Sequence, residues 1–320
     1  MIKLSHAIIL GGLFSFGAAM AQLPSGDHAS HGPLRDRARV SRGTLVAEDG
    51  SILRAVSSHT INSPEWSRLY NDVNWWRDLH DIGHFNAVRA GAFLGSWFGR
   101  GYSMDLPTIE GILDTFVSNA AKTGMYVIID EHSAESFTTP TDWKLNAQFW
   151  SAIAPRYKDH TNVLYELKNE PDVGKNLSAL PGYENSAFAL IRSLAPDTPI
   201  IAWSLESIIA VDDQYGLLKL LAQGNRINYS NAAVGYHPYE ATGQEQRLAE
   251  LASQMQQAGY PIVMTEYSAS TLPLSYLHSL EAAGISWAFL DGTGFTDNDT
   301  GKTYGCCSTP NPINIIWPKD

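Results

Sequence analysis

Short apolar runs alternate with longer amphipathic stretches along most of this sequence. Each run is rich in branched or aromatic residues and is bounded by Gly or polar residues, which is typical of a buried β-strand. The amphipathic stretches between the runs predict helices. This alternation predicts an α/β protein built around a parallel sheet. Eight apolar runs begin near Ile52, Phe85, Tyr126, Val163, Ile200, Ala232, Ile262 and Ile285.

The number and spacing of these units predict a (β/α)8 TIM barrel in a single domain, because eight strand and helix pairs fill about 250 residues in that fold. An open doubly wound sheet is the rival, but its Gly-x-Gly-x-x-Gly signature is missing from the first strand and helix turn. Gly83, Gly124, Gly259 and Gly284 each follow a predicted helix, where a left-handed residue is favoured. The predicted helices cover 66–81, 108–122, 142–157, 183–194, 244–258 and 273–283.

Polar residues stand at the ends of most predicted strands. In a parallel barrel the chemistry collects at those ends, where each strand meets the helix that follows it. We therefore expect these side chains to share one rim. They are Ser58-His59-Thr60, Arg89, Asp130-Glu131-His132, Asn169-Glu170, Glu206, His237 with Tyr239, and Glu266.

The motif Asn169-Glu170-Pro171 ends the fourth strand. A carboxyl group that loses solvent at a buried strand end holds its proton more tightly, so Glu170 is a candidate proton donor. Asn169 offers a donor and an acceptor for a substrate hydroxyl, and Pro171 stops the strand because it has no N–H. A polar turn with no function is the alternative for this motif alone, so the argument needs a partner for Glu170.

Glu266, at the end of the seventh strand, is that partner. Paired carboxylates across a cleft are the groups that break a glycosidic bond. One must be protonated and the other ionised. Arg89 favours the ionised form of Glu266 if it reaches that carboxylate, and Tyr239 is placed to orient it through a hydrogen bond.

Strand alternation predicts which side chains face the inside of the barrel. It places Glu166, Lys168 and Glu170 on the inner face, with Tyr165 and Leu167 toward the helices. Buried charges need partners, so we interpret Glu166 as a structural residue held by neighbours.

These residues together resemble the active-site set of family 5 glycoside hydrolases in clan A. The resemblance covers about residues 43–295. Single segments such as Asp130-Glu131-His132 are modest signals, but the ordered set is specific. The matching positions are Arg89, His132, Asn169-Glu170-Pro171, His237 with Tyr239, Glu266 and Trp287.

The resemblance implies a retaining double displacement in which Glu170 is acid and then base, and Glu266 is the nucleophile. It implies that Arg89 and Tyr239 hold Glu266 and that Asn169 holds the sugar 2-hydroxyl. By the same likeness, His132 and His237 bind beside the scissile bond, and Trp287 forms a sugar-stacking floor. The implied enzyme is a cellulase-like endo-β-glycanase acting on β-1,4-glucan, with β-mannan and other β-glucans left open. No cofactor or metal is implied.

Composition and the N-terminal segment restrict the partners and the location. With 22 Lys+Arg against 33 Asp+Glu, the 320-residue chain is acidic, which argues against nucleic acid as a partner and leaves a neutral polysaccharide or oligosaccharide open. Residues 1–21 have the pattern of a signal peptide, which predicts a secreted or periplasmic protein with no membrane association after cleavage. We expect a flexible lead-in over 22–42, a catalytic barrel over 43–320, and a monomer.

Two other functional classes remain open at this point. One is a metal-dependent barrel hydrolase using Asp130, His132, His237 and Glu266, against which the first strand does not end in His-x-His. The other is a sugar-binding barrel without catalysis. Further sugar stacking is expected of Trp97, Phe98, Trp143 and Trp203, whereas Trp66, Trp75 and Trp76 are predicted to be core. The roles of Cys306-Cys307 and of the 292–318 tail stay open.

Overall fold

The computed structural model of the chain contains the predicted barrel. It describes residues 36–58, 60–95, 103–133, 140–171, 177–239, 243–267, 273–290, 294–296 and 303–305. The predicted signal peptide, His59, Trp97, Phe98, the Trp143 side chain and Cys306-Cys307 lie outside this description. The strands are β1 Arg39–Ser41, β2 Thr44–Val46, β3 Arg54–Ser58, β4 Ala87–Ala92, β5 Tyr126–Glu131, β6 Val163–Glu166, β7 Ile200–Leu205, β8 Ala232–Tyr236, β9 Ile262–Met264, β10 Trp287–Leu290, β11 Gly294–Thr296 and β12 Thr303–Gly305.

Eight parallel strands close the barrel in the order β10-β3-β4-β5-β6-β7-β8-β9, which confirms the predicted fold. Three strands begin two residues later than their apolar runs, at Arg54, Ala87 and Trp287. The helices between the strands are α1 Pro64–Tyr70, α2 Val73–Asp81, α3 Leu106–Lys122, α4 Pro140–Tyr157, α5 Leu180–Leu194, α6 Ile208–Tyr215, α7 Leu217–Ala222, α8 Glu245–Gln257 and α9 Leu274–Ala283. No helix of these described stretches combines the length and the apolar composition that a membrane crossing needs.

Local capping explains where the helix predictions were wrong. The single helix predicted over 66–81 is two helices, because the Asp72 side chain accepts a hydrogen bond from the Asn74 backbone N–H and starts a new helix there. Gly124, Gly259 and Gly284 have positive φ angles, as predicted. After α2 the left-handed residue is His84, with φ 55°, and not Gly83.

The two apolar layers of the fold lie on either side of the strands. The larger layer fills the space between the strands and the helices and includes Trp66, Trp75 and Trp76, as predicted. The smaller layer fills the lower half of the barrel interior. Its members are mostly small or branched residues: Ala38, Leu45, Ala47, Leu53, Ala55, Ala87, Tyr126, Ile128, Leu164, Ile201, Ala233, Val263 and Ala288.

The N-terminal hairpin of β1 and β2 closes the bottom of the barrel. Leu45 packs into the interior layer, and the Thr44 hydroxyl donates to the Ile262 carbonyl at 2.7 Å. The Arg37 guanidinium donates to the His160 carbonyl at 2.7 Å. The predicted flexible lead-in over 22–42 is therefore wrong at its C-terminal end, because the chain from Asp36 onward is built into the barrel floor. In the predicted tail, β11 and β12 pair as an antiparallel hairpin, and the rest of it lies outside the described residues.

Candidate active site

The two candidate carboxylates meet at the rim formed by the C-terminal ends of the strands. Glu170 follows β6 and Glu266 follows β9. One oxygen of each carboxylate and one ring nitrogen of His237 all lie within 4.8 Å of one another. The sequence separation of 96 residues is thus bridged by closure of the barrel, as predicted.

Glu266 is the buried carboxylate of the pair, with 5% of its surface exposed. Its Oε2 accepts a hydrogen bond from Arg89 Nη1 at 2.8 Å, and its Oε1 accepts one from the Tyr239 hydroxyl. Burial raises the pKa of the Glu266 carboxyl, but the positive charges of His237 and Arg89 outweigh burial and hold that pKa well below its usual range. Burial and the negative charge of Glu266 also raise the pKa of Tyr239, so its hydroxyl stays protonated and donates.

Arg89, on β4, joins the nucleophile candidate to the barrel wall. The guanidinium is fully buried and donates to both oxygens of Glu166, at 2.6 and 3.0 Å. It also donates to Asn169 Oδ1 at 2.8 Å and lies 2.9 Å from Asp130 Oδ2. Burial opposes the charge, but the surrounding carboxylates hold the pKa of Arg89 well above its ordinary value. Glu166 is therefore structural, as predicted. It holds the Arg89 guanidinium, which in turn holds Glu266.

Glu170 has a different environment. Its side chain is 23% exposed, and its Oε1 lies 2.7 Å from His237 Nδ1. The expectation that burial would desolvate Glu170 is wrong, because β6 ends at Glu166 and Glu170 lies beyond its end, at the rim. Burial lowers the pKa of His237, but the negative charges of Glu266 and Glu170 and the hydrogen bond to Glu170 raise it overall. Glu170 is therefore the more solvent-accessible carboxyl of the pair, and its Oε1 is joined to His237 Nδ1 by a hydrogen bond.

His237 is also held by contacts on the side of its ring away from Glu170. Its Nε2 lies 2.9 Å from the Thr265 hydroxyl, on the residue before Glu266. The backbone N–H of His237 donates to the Leu205 carbonyl at 2.7 Å. The imidazole therefore has a fixed orientation with Nδ1 toward Glu170. Sequence reasoning missed Thr265, and only its place beside Glu266 marks it.

His132, directly after β5, pairs with Asp130 on that strand, and alternation predicted that the two would share a face. His132 Nδ1 is hydrogen-bonded to Asp130 Oδ2, and the ring packs edge-on against Phe93 with 5.0 Å between centroids. Burial raises the pKa of Asp130 to about 7, although the charge of Arg89 opposes the shift. Among the described residues, Asp130 Oδ1 has no hydrogen-bond partner. This pair therefore braces Arg89 and orients the His132 ring beside the cleft.

The alternation predicted for 166–170 is wrong at Lys168. Lys168 Nζ reaches Glu131 Oε2 at 2.9 Å, whereas Asn169 joins Glu166 on the inner face through Arg89. Glu170 has a positive φ of 38°, which a residue other than Gly rarely adopts. The pattern fails here because β6 ends at Glu166, and alternation holds only within a paired strand.

A β-bulge in β7 supplies another residue that sequence reasoning missed. The register between β7 and β8 shifts between Ala202 and Leu205, and Trp203 and Ser204 both have positive φ angles. Ser204 thereby points inward and donates to Glu166 Oε1 at 2.6 Å. Gly235 on β8 makes room for it, since a Cβ at that position would lie 2.5 Å from Ser204 Oγ.

Two tryptophan predictions are wrong. Trp287 is 1% exposed, and its indole N–H donates to Glu281 Oε1 on α9 at 2.6 Å, so it belongs to the layer between strands and helices. It has no exposed face for a sugar. Trp203 is fully buried and donates to the Tyr229 hydroxyl at 2.9 Å. In both cases the aromatic side chain points outward to the helices and not into the cleft.

The metal-dependent alternative requires Asp130 and His132 to converge with His237 and Glu266. Among the described residues, the only cluster with metal-ligating potential is Glu170, His237 and Glu266, so the proposed set with Asp130 and His132 does not converge. Both oxygens of Glu266 already accept hydrogen bonds, from Arg89 and Tyr239. Both nitrogens of His237 are within hydrogen-bond distance of oxygens. The oxygens of Glu266 and the nitrogens of His237 are therefore already engaged in hydrogen bonds within the protein. The positive charge beside Glu266 is the Arg89 guanidinium.

Sequence comparisons match residues 46–291 to the family described as Cellulase (glycosyl hydrolase family 5). Endoglucanase A of Butyrivibrio fibrisolvens is 27% identical over 234 residues, covering 70% of this chain and 50% of that protein. Endoglucanase N of Pectobacterium atrosepticum is 28% identical over 297 residues, covering 87% of this chain and 60% of that protein. The chain thus spans about half the length of the curated relatives it matches.

Solved structures share the fold. The cellulase Cel5C_n superposes with a TM-score of 0.65 at 23% identity, covering 81% of this chain and 84% of that one. The mannohexaose complex of Thermomonospora fusca β-mannanase superposes with a TM-score of 0.61 at 15% identity, covering 82% and 86%. The match to the family covers most of the barrel, and the two rim carboxylates fall inside it. This chain therefore belongs to glycosyl hydrolase family 5, a family of enzymes that hydrolyse glycosidic bonds.

Proposed function

We propose that this protein is a secreted endo-β-glycanase that hydrolyses β-1,4-glucan with retention of configuration. The observation that carries the proposal is the pair Glu170 and Glu266: one oxygen of each carboxyl lies within 4.8 Å of the other, and Glu266 is buried whereas Glu170 is partly exposed. Retaining enzymes hold their carboxyl groups about 5 to 5.5 Å apart, whereas inverting enzymes leave room for a water molecule at about 6.5 to 9.5 Å. A gap of no more than 4.8 Å between one oxygen of each carboxyl supports the retaining class.

In the first step, an oxygen of the Glu266 carboxylate attacks the anomeric carbon. The bond from that carbon to the glycosidic oxygen breaks, and the leaving oxygen takes the proton from Glu170. Arg89 and Tyr239 hold Glu266 ionised and fix the direction of attack. The product is a glycosyl ester on Glu266, and Glu170 is left ionised beside His237.

In the second step, the ionised Glu170 takes a proton from water, and the water oxygen attacks the same anomeric carbon. The ester bond to Glu266 breaks, which restores its carboxylate, and Glu170 regains its proton. The hydrogen bond from His237 supports this exchange because it stabilises the ionised form that Glu170 takes between the steps. Asn169, held by Arg89, lies next to Glu170 and is proposed to bind the sugar 2-hydroxyl.

The choice of β-1,4-glucan is supported by the relatives, several of which carry the name endoglucanase. β-Mannan is the second candidate, since the solved structures with the same fold include a β-mannanase in complex with mannohexaose. Specificity in this fold depends on the loops above the rim, so the same barrel architecture is compatible with either substrate.

A reducing-sugar assay on β-glucans, mannan, xylan and chitosan tests the function. We expect hydrolysis of soluble β-1,4-glucan by the wild-type protein and none by Glu266→Gln. Activity on mannan alone would correct the substrate. A protein that releases no sugar from any of these glycans, while binding one of them, would overturn the proposal in favour of a non-catalytic barrel.

We also propose export, on the basis of the signal-peptide pattern in residues 1–21. The mature chain is then a secreted or periplasmic monomer that begins near Gln22. N-terminal sequencing of the protein recovered from a bacterial host tests this, together with its size in gel filtration. Intact Met1 on protein found only in the cytoplasm would contradict export.

A further inference from the structure

A buried ion pair lies behind the rim, on the helix side of the candidate acid. Lys168 Nζ is 2.9 Å from Glu131 Oε2, and the two side chains are only 4% and 1% exposed. Asn146 of α4 joins them by donating to Glu131 Oε2 at 3.3 Å. We call Glu131, Asn146 and Lys168 the rim clamp. The proposed reaction uses none of these side chains.

The rim clamp ties together the two loops that carry the site. On one side, Glu131 Oε1 accepts a hydrogen bond from the Ser133 backbone N–H at 3.2 Å, directly after His132. On the other side, the Asn169 backbone N–H donates to the Glu131 carbonyl at 3.0 Å, directly before Glu170. Glu131 therefore connects the end of β5 to the segment after β6 through both its side chain and its backbone.

One member of the clamp, Asn146, also contacts the chain just beyond β6. The Leu167 carbonyl accepts hydrogen bonds from Asn146 Nδ2 at 3.0 Å and from Trp150 Nε1 at 2.9 Å, both on α4. Lys168 then points to Glu131, away from the inner face on which alternation would place it. The next two residues, Asn169 and Glu170, both reach the cleft, the second through a left-handed backbone.

We propose that the rim clamp is a positioning device for the carboxyl group of Glu170, with Lys168 as its central residue. The inference rests on the proposed function, because it assumes that Glu170 transfers a proton. An apolar pair at positions 131 and 168 is expected to pack as stably as this ion pair, because buried ion pairs regain little more than their own desolvation. Stability therefore does not explain the ion pair of Glu131 and Lys168. The contacts of the rim clamp instead hold the chain on both sides of the site, next to the strained backbone of Glu170.

The test compares substrates that differ in how much they need an acid. A phenyl glycoside has a leaving group with a pKa of about 10 and depends on protonation, whereas a 2,4-dinitrophenyl glycoside leaves without a proton. The quantity measured is kcat/KM for phenyl β-cellobioside divided by kcat/KM for 2,4-dinitrophenyl β-cellobioside. This ratio does not depend on the concentration of folded enzyme, so partial unfolding of a variant does not affect it. If the panel of glycans identifies mannan, the β-mannobiosides replace these two substrates.

The variants are Lys168→Met, which leaves the Glu131 charge unpaired, and the double variant Glu131→Met/Lys168→Met, which removes both charges and leaves a packed apolar pair. In both we expect the ratio to fall on the order of 10-fold to 100-fold, as a misplaced catalytic group does. Arg54→Met is the matched control: it breaks the ion pair of Arg54 with Glu281, 2.6 Å apart near the bottom of the barrel, and its ratio is expected to equal that of wild type.

The double variant decides the proposal. An unchanged ratio in that variant would overturn it, whatever the single variant does, because a fall in Lys168→Met alone reflects only the lone buried charge. Glu170→Gln separates this outcome from failure of the proposed function, since it must lower the ratio more than any clamp variant. If Glu170→Gln leaves the ratio unchanged, the acid assignment itself is wrong. If it lowers the ratio and the double variant does not, only the rim clamp is wrong.

Discussion

The two ends of the barrel are built from opposite chemistry. At the bottom, Leu45 of the N-terminal hairpin seals an interior of small and branched residues. At the top, the interior is a network of charges centred on Arg89, which contacts Glu166, Asp130 and Glu266. The side chains of the Arg89 network and of the lower layer are both buried, so burial alone does not distinguish them. The difference is that the bottom gains stability from apolar contact, whereas the top must hold desolvated charges with hydrogen bonds.

This contrast separates folding from chemistry within one barrel. Side chains in the lower layer need only the right volume, but each polar atom of the upper layer needs a partner in the right direction. Substitutions at the top are therefore expected to change activity, and substitutions at the bottom to change stability alone.

The largest effect is expected at the nucleophile. Glu266→Gln should lower kcat about 10^4-fold or more, because the amide cannot form the glycosyl ester, while circular dichroism remains that of the wild type. Glu250→Gln, on the exposed face of α8, is the matched control and should retain full activity. Comparable activity in the two variants would remove Glu266 from the mechanism.

Arg89→Met should damage both stability and activity. It leaves Glu166, Asp130 and Glu266 buried without their cation, so we expect the free energy of unfolding to fall by about 3 to 5 kcal/mol. Urea unfolding measures this, and kcat should fall with it. Arg54→Met removes a partly exposed pair and should cost less than about 1 kcal/mol. Equal losses of unfolding free energy in the two variants would contradict the proposed difference between the top and the bottom of the barrel.

Leu45→Ala tests the bottom of the barrel. A buried leucine truncated to alanine leaves a cavity, so the free energy of unfolding should fall by about 2 to 5 kcal/mol. The kcat of the folded variant should equal that of the wild type at a temperature well below its unfolding midpoint. A large loss of kcat there would mean that the hairpin also shapes the rim.

The smallest effect is expected at Tyr239. The Tyr239 hydroxyl donates to Glu266 and is among the groups that lower the pKa of that carboxyl. Tyr239→Phe should raise the pKa of Glu266 toward its ordinary value, so the acidic limb of kcat/KM against pH should move to higher pH, by less than about one unit. A limb that moves to lower pH would contradict the assignment of Glu266 as the ionised group.

The sequence was sufficient to predict the barrel and the partners of Glu266. The strand ends carry the chemical groups, and barrel closure brings Arg89, Tyr239 and Glu266 to one rim whatever the details of each loop. The apolar runs set the strands because burial against helices on the outer face requires continuous hydrophobic residues.

The directions of single side chains at the rim were harder to predict. Lys168 turns outward because its backbone has left the ladder, and Ser204 turns inward because a bulge adds a residue to β7. Neither event has a signal in the alternation of polar and apolar residues. Trp287 was placed in the cleft by resemblance, but it begins its strand, on the outer face, and lies in the core.

The stereochemistry of the first product tests the central claim most directly. Proton NMR of a soluble β-glycan during the first minutes of hydrolysis distinguishes the two anomers of the new reducing end before they equilibrate. Because one oxygen of Glu170 and one of Glu266 lie within 4.8 Å of each other, we predict that the β-anomer forms first. Initial formation of the α-anomer would mean that water attacks directly, and the two carboxylates would not act as proposed.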